Sequence, residues 1–217
     1  MMNKRNLTIA LALLILAAIV AFVAWNRHQT RQLHDATLEK ISAATRDLRT
    51  AADPKSSVQI IAAGAARVDG DLKVLRDTAT SRILLLAAGA DGYLLSAREL
   101  LRRQAIMLEL RDKIGGEIIA FRDHLLSGNR AAASWTTNAV QLKNRMEQDF
   151  REFQRTVDAH SKIADGFPDA RKALAGLAPD DRLISDAEIA AARDAAIAAA
   201  KSLAAEVEAA RRIAAPR

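Results

Sequence analysis

The nineteen residues from Leu7 to Trp25, LTIALALLILAAIVAFVAW, carry no charge, and Thr8 holds their one hydroxyl. Coiled as a helix they rise roughly 28 Å at ~1.5 Å per residue, close to the ~30 Å hydrocarbon core of a bilayer. The run predicts a transmembrane anchor built from Leu7, Leu11, Leu14, Ile15, Ile19, Phe22 and Trp25. Lys4 and Arg5 precede it, Arg27 and Arg31 follow it, and Trp25 falls where an indole sits at headgroup level.

A cleaved signal peptide has a shorter apolar core, about 7 to 15 residues, ending in small residues at A-x-A positions. Here the residue two before Ala24 is Phe22, and the residue two before Ala21 is Ile19, so an uncleaved anchor is expected. Basic residues nearly balance across the run, with Lys4 and Arg5 on one side and Arg27, Arg31 and Lys40 on the other. A long downstream domain crosses a membrane largely regardless of such charges. The expected topology is a cytoplasmic tail over 1–6, one span over 7–25 and an exported domain over 26–217. The alanine- and arginine-rich composition points to a bacterium, which makes this an inner-membrane protein with a periplasmic domain.

Half the chain is hydrophobic, yet aromatic residues supply only 4% of it, so alanine carries the apolar content. Contacts between closely spaced helices follow from that, rather than a β-rich or cofactor-lined interior. The formal charge is +6, but opposite signs alternate in stretches such as RDLRTAAD and LELRDKIGGE. That is the pattern of a solvated helix face, and no nucleic-acid partner is expected. The absence of cysteine excludes disulfides, thiolate metal sites and a cysteine nucleophile.

Beyond the anchor the helix is expected to run straight on, because Leu38, Ile41, Ala44, Leu48 and Ala51 recur at spacings of three and four. Asp53-Pro54 stops it, since proline lacks an amide hydrogen and disfavours helical geometry in the residue before it. Ser56 and Gln59 read as a capping box for the next helix, whose seam runs through Val58, Ile61, Ala65, Val68, Leu72, Leu75, Ala79, Ile83 and Leu86. Left unbroken to Ser127 that helix would reach roughly 105 Å and run back into the bilayer, so a reversal is needed. Gly89-Ala90-Asp91-Gly92 carries the turn chemistry for it.

The third helix is expected over 93–126, with Gly128 capping its end and Asn129 opening the next. Trp135, Ala139, Leu142, Met146, Phe150, Phe153 and Val157 line the fourth, which Asp165-Gly166-Phe167-Pro168 should break, leaving a short helix over 169–175. Gly176 and Pro179-Asp180-Asp181 form an irregular connection. Ser185 and Glu188 make a second capping box, opening an alanine-seamed last helix. The expected fold is all-α: an N-terminal transmembrane helix followed by an antiparallel four- or five-helix bundle, with helices over about 27–52, 57–88, 93–126, 130–164 and 186–214.

Catalytic signals are missing from this pattern. His28, His34, His124 and His160 share no metal-ligand spacing, and no Glu-x-x-His pair of the di-iron type occurs. No Gly-x-Gly-x-x-Gly, Walker or Gly-x-Ser-x-Gly motif is present, so no cofactor, metal or catalytic residue is assigned. His160 follows the seam of its helix and reads as a packed or half-exposed side chain. Arg102-Arg103 is the one basic pair on an otherwise apolar helix, and its paired guanidinium groups suit a small carboxylate ligand.

In FRDHLLSGNRAAASWTTNAVQLKNRMEQDF, Phe121 to Phe150, a helix ends in Leu-Leu-Ser-Gly and an amphipathic helix follows. With an anchor feeding a long helix, this layout resembles the periplasmic four-helix-bundle sensory modules of bacterial chemoreceptors and sensor kinases, over about 27–164. The resemblance implies dimerisation and a small ligand held between helices. Those receptors return through a second span to a signalling domain, which residues 26–217 are not expected to contain, so signalling would go through a partner.

Two functions follow as expectations. The first is a non-enzymatic, membrane-anchored bundle serving as an accessory, scaffold or interaction subunit of the envelope, bound to another envelope protein or to a second copy. The alternative is a periplasmic module sensing a small organic ligand near Arg102 and Arg103.

Overall fold

The computed structural model describes the backbone of residues 4–79, 83–127 and 133–214, and the side chains of 15–79, 83–127 and 134–213. Among these residues the chain is all-α. Helix α1 spans Lys4–Ala51, α2 Val58–Thr78, α3 Leu84–Leu126, α4 Ala133–Lys172 and α5 Asp186–Ala214, with a 3₁₀ turn at Asp180–Arg182 before α5.

α1 is unbroken for 48 residues, continuing from the apolar run into the bundle as the 3,4 spacing predicts. Among the described residues no helix is long and apolar enough to cross a membrane. Leu7, Leu11 and Leu14 lie outside the described side chains, and the described part of the run, Ile15 to Trp25, is shorter than the roughly 20 residues a span requires. Within it Ile15, Ile19, Phe22 and Trp25 are all exposed.

Ion pairs fix the order in which the helices run. Lys40 meets Asp71 at 2.7 Å and Arg67 meets Asp47 at 3.0 Å, so α2 returns antiparallel along α1. Arg76 meets Asp91 at 2.6 Å and Arg98 meets Asp69 at 2.8 Å, so α3 turns outward again. α3 then outruns α1, since Gln104 already reaches the Ala51 carbonyl at 2.6 Å. α4 comes back along it and α5 goes out once more, where Arg211 meets Glu147 at 3.2 Å.

Two apolar clusters result, stacked along α3. The inner one joins α1, α2 and the first half of α3 to Phe167, Leu174, Leu183, Ile184 and Ile189. The outer one joins Met107 to Leu125 of α3 with Phe150, Phe153 and Val157 of α4 and Leu203 and Val207 of α5.

Three expectations about breaks are corrected. The second helix ends at Thr78, not near residue 88, and Gly89 to Gly92 lie inside α3. Gly89 is small for another reason: a Cβ there would stand 2.8 Å from the Ala173 carbonyl oxygen, so the glycine admits the end of α4 rather than a turn. Asp91 spends its carboxylate on Arg76. α4 likewise runs through Pro168 to Lys172, with no break at 165–168. Phe167 is fully buried against Tyr93, ring centres 5.0 Å apart, and that burial holds the helix across the missing amide hydrogen. The cap of α2 is Ser57, whose Oγ accepts from the Ile60 amide at 3.4 Å, while Ser56 donates to the Thr50 carbonyl.

The second capping box is present at the start of α5. The Ser185 amide donates to Glu188 Oε2 at 2.8 Å and the Glu188 amide donates to Ser185 Oγ at 3.2 Å. Arg49 of α1 bonds the same Glu188 at 2.8 Å and, with the Ser185 amide, holds its carboxyl down at about 2. Before it, Gly176 takes the left-handed backbone, φ 74°, within the connection. The turn at Gly128 and Asn129 lies outside the described residues, but its flanks are clasped. His124 Nε2 lies 2.8 Å from the Trp135 carbonyl, Trp135 Nε1 donates to the His124 carbonyl at 3.1 Å, and the two rings stack.

Candidate functional site

The two apolar clusters meet where α1 stops. α3, α4 and α5 continue past Ala51, so the bundle loses α1 and α2 at this level, and a cavity of about 220 Å³ opens beside their connection. Ala52, Asp53 and Pro54 of the α1–α2 connection form one wall, with Gln104, Leu108 and Arg111 of α3 beside it. Phe153 and His160 of α4 line another side. α5 contributes only Ala192, Ala195, Ala196 and Ala199, whose side chains stop at Cβ and leave the space unfilled. The seam that lets α5 pack closely elsewhere is what makes room here.

Polar groups on this wall are few. Gln104 Nε2 is committed to the Ala51 carbonyl, one of the four carbonyls a helix end leaves without an intrahelical partner. His160 is 1% exposed, and its Nδ1 has no hydrogen-bond partner among the described residues. Burial alone pushes the imidazole down to about 4, so the ring is neutral at pH 7. A neutral imidazole carries one donor and one acceptor, and a buried polar atom left unmatched is uncommon in native folds. At the mouth Arg111 is half-exposed and reaches Asp112 at 3.4 Å, while Asp53 accepts from the Lys55 amide at 2.9 Å. Those opposite charges offset each other, so the entrance favours neither sign.

A second cluster lies in the outer half. Asp149, 7% exposed, receives Lys113 Nζ at 2.7 Å, and Glu117 on the neighbouring turn of α3 keeps Oε2 buried without a partner. Burial, then the adjacent Asp149 carboxylate, pushes the Glu117 carboxyl up to about 7, against the pull of Lys113 and Arg145. Among the described residues no group of histidine, cysteine, aspartate and glutamate side chains is arranged to hold a metal ion.

Arg102 and Arg103 are not at the cavity. Arg102 is exposed and lies 3.6 Å from Asp69 and 3.7 Å from Glu99, and Arg103 is half-buried outside the cavity wall. Sequence reasoning passed over Glu117 and Asp149, although each directly adjoins a seam residue, Ile118 and Phe150. It read His160 as packed or half-exposed, where the structure buries it, and did not find the space beside it. No protein-family model, no curated protein and no solved structure matches this chain.

Proposed function

We propose that this chain is a non-enzymatic, single-pass membrane protein of the bacterial envelope. Its bundle stands on the anchor as an accessory or scaffold subunit for another envelope protein or for a second copy. The observation that carries this reading is the continuity of α1: the charge-free run from Leu7 and the core residues Leu38, Ile41, Ala44 and Leu48 belong to one helix. A bundle built on its own anchor helix has a fixed height and orientation over the bilayer, which is what a scaffold needs.

The α2–α3 end supports the same placement. Lys40 stands level with Asp71 and Arg76 with Asp91, so Leu85, six residues before Asp91, is level with about residue 29, roughly 6 Å above Trp25. At that end Leu84 and Leu85 are 61% and 75% exposed. Two leucines presented at headgroup height suit a bundle that rests on lipid.

Fractionation of native membranes tests the anchor: the full chain should stay in the membrane pellet through alkaline carbonate, and Leu14→Arg with Ile15→Arg should release it. Purification in mild detergent tests the scaffold role. A stoichiometric second protein or a defined homodimer is the expected recovery, whereas a strictly monomeric, partnerless protein would count against it.

A further inference from the structure

We propose that the cavity at the end of α1 binds a small, uncharged, mostly apolar molecule carrying one hydroxyl, of the class of a monocyclic phenol. The hydroxyl meets the His160 imidazole and the ring lies against the alanines of α5. This goes beyond the scaffold reading and rests on the cavity alone.

Size comes first. At about 220 Å³ the space exceeds the ~150 Å³ of an engineered apolar cavity that accepts benzene, so one substituted ring fits. Shape follows from the wall. Ala192, Ala195, Ala196 and Ala199 present methyl groups from one helix, a low flat surface suited to the face of a ring, with Leu108 and Phe153 on other sides.

Charge is decided by what the interior lacks. His160 is buried and neutral, and no charged side chain lines the cavity except Asp53 and Arg111, the latter paired with Asp112. A carboxylate or ammonium carried inward would lose its hydration without gaining a counter-ion. A hydroxyl needs only one hydrogen bond, and the neutral imidazole on the cavity wall carries one donor and one acceptor. Specificity for the hydroxyl arises because a ligand without it makes no hydrogen bond to the imidazole on the wall.

The test uses the full chain in lipid nanodiscs, labelled with ¹⁵N-histidine, titrated in turn with phenol, toluene and benzoate. Phenol should shift the His160 ring resonances saturably, with toluene weaker by about tenfold, the worth of one hydrogen bond, and benzoate weaker still. Ala196→Leu fills the cavity from α5 with His160 itself unchanged and should abolish the phenol shift while the His160 signals remain those of a buried neutral ring. Ala199→Leu serves the same purpose if Ala196→Leu fails to fold. Absence of a saturable shift at millimolar phenol would overturn the proposal. Equal binding of benzoate, or an unchanged phenol shift in a folded cavity-filling variant, would overturn it too. Loss of membrane anchoring in the Leu14→Arg, Ile15→Arg protein should leave phenol binding intact, so the two readings fail separately.

Discussion

Tyr93 donates its phenolic hydrogen to Thr45 Oγ1 across 2.7 Å inside the inner core, where the two side chains are 0% and 1% exposed. The direction follows from the other bonds: Thr45 spends its own hydrogen on the Arg182 carbonyl at 2.9 Å. The Tyr93 oxygen in turn accepts the Ile184 amide at 3.0 Å. One hydroxyl pair thereby ties α1, α3 and the approach to α5 together, and burial raises the Tyr93 phenol, so it stays protonated. Tyr93→Phe keeps the edge-on contact with Phe167 but strands the Ile184 amide. Chemical denaturation of the full chain in detergent should show a loss of about 1–3 kcal/mol, and an unchanged midpoint would contradict this account.

Glycines inside α3 separate two effects that sequence merges. Alanine is the better helix former by about 1 kcal/mol, so at exposed Gly116, where an added Cβ meets nothing within 4 Å, Gly116→Ala should stabilise by up to that amount. At Gly89 the same methyl would stand 2.8 Å from the Ala173 oxygen and 2.9 Å from Leu174 Cδ2. Overpacking of this kind typically costs about 1–3 kcal/mol, more than the propensity gain. Gly89→Ala should therefore lower the thermal midpoint and Gly116→Ala raise it; midpoints moving the same way would refute the contrast.

Local pattern carried the helices, and non-local contact decided where they stop. The seam Ile61, Ala65, Val68, Leu72, Leu75 is buried as its spacing requires, and the start of α5 was legible because Ser185 and Glu188 act within one turn. Gly89 to Gly92 and Pro168 misled for a shared reason. Each is a helix-breaking signal in isolation, yet each belongs to a segment held by distant partners, Gly89 by Ala173 and the helix around Pro168 by Phe167 on Tyr93. The cavity was invisible for a different cause. It arises from a mismatch in length between α1 and the helices beside it, together with alanines that in sequence look only like close packing.

Glu117 makes stability depend on pH in an unusual sense. Its carboxyl titrates near 7 in the fold against an ordinary value of 4.5, so between those values the folded state holds the extra proton. Stability contributed by this group is present below about 4.5, falls as pH rises, and is gone above about 7. His160 acts oppositely, because its folded value of about 4 lies below the ordinary 6.5 and its contribution grows as pH rises between them. Comparison with Glu117→Gln separates the two, since the amide does not titrate and leaves Asp149, Lys113 and Arg145 in place. The difference between wild type and Glu117→Gln in denaturation midpoint should slope downward from pH 4.5 to 7 and be flat above; a flat difference throughout would place Glu117 in water.

Leu85 reports where the bundle sits over the bilayer. The chain has no cysteine, so Leu85→Cys and Leu126→Cys each give one labelling site, both 75% exposed and at opposite ends of α3. α3 is 43 residues long, so the two sites lie roughly 60 Å apart along the helix. If α1 is the anchor, residue 85 lies at headgroup height and residue 126 far out in solvent. An environment-sensitive fluorophore at residue 85 should emit to the blue in nanodiscs and be quenched by brominated lipid, whereas the same dye at residue 126 should do neither. Equal emission from both positions, with no lipid quenching, would lift the α2–α3 end off the membrane and remove the support that Leu84 and Leu85 lend to the anchored reading.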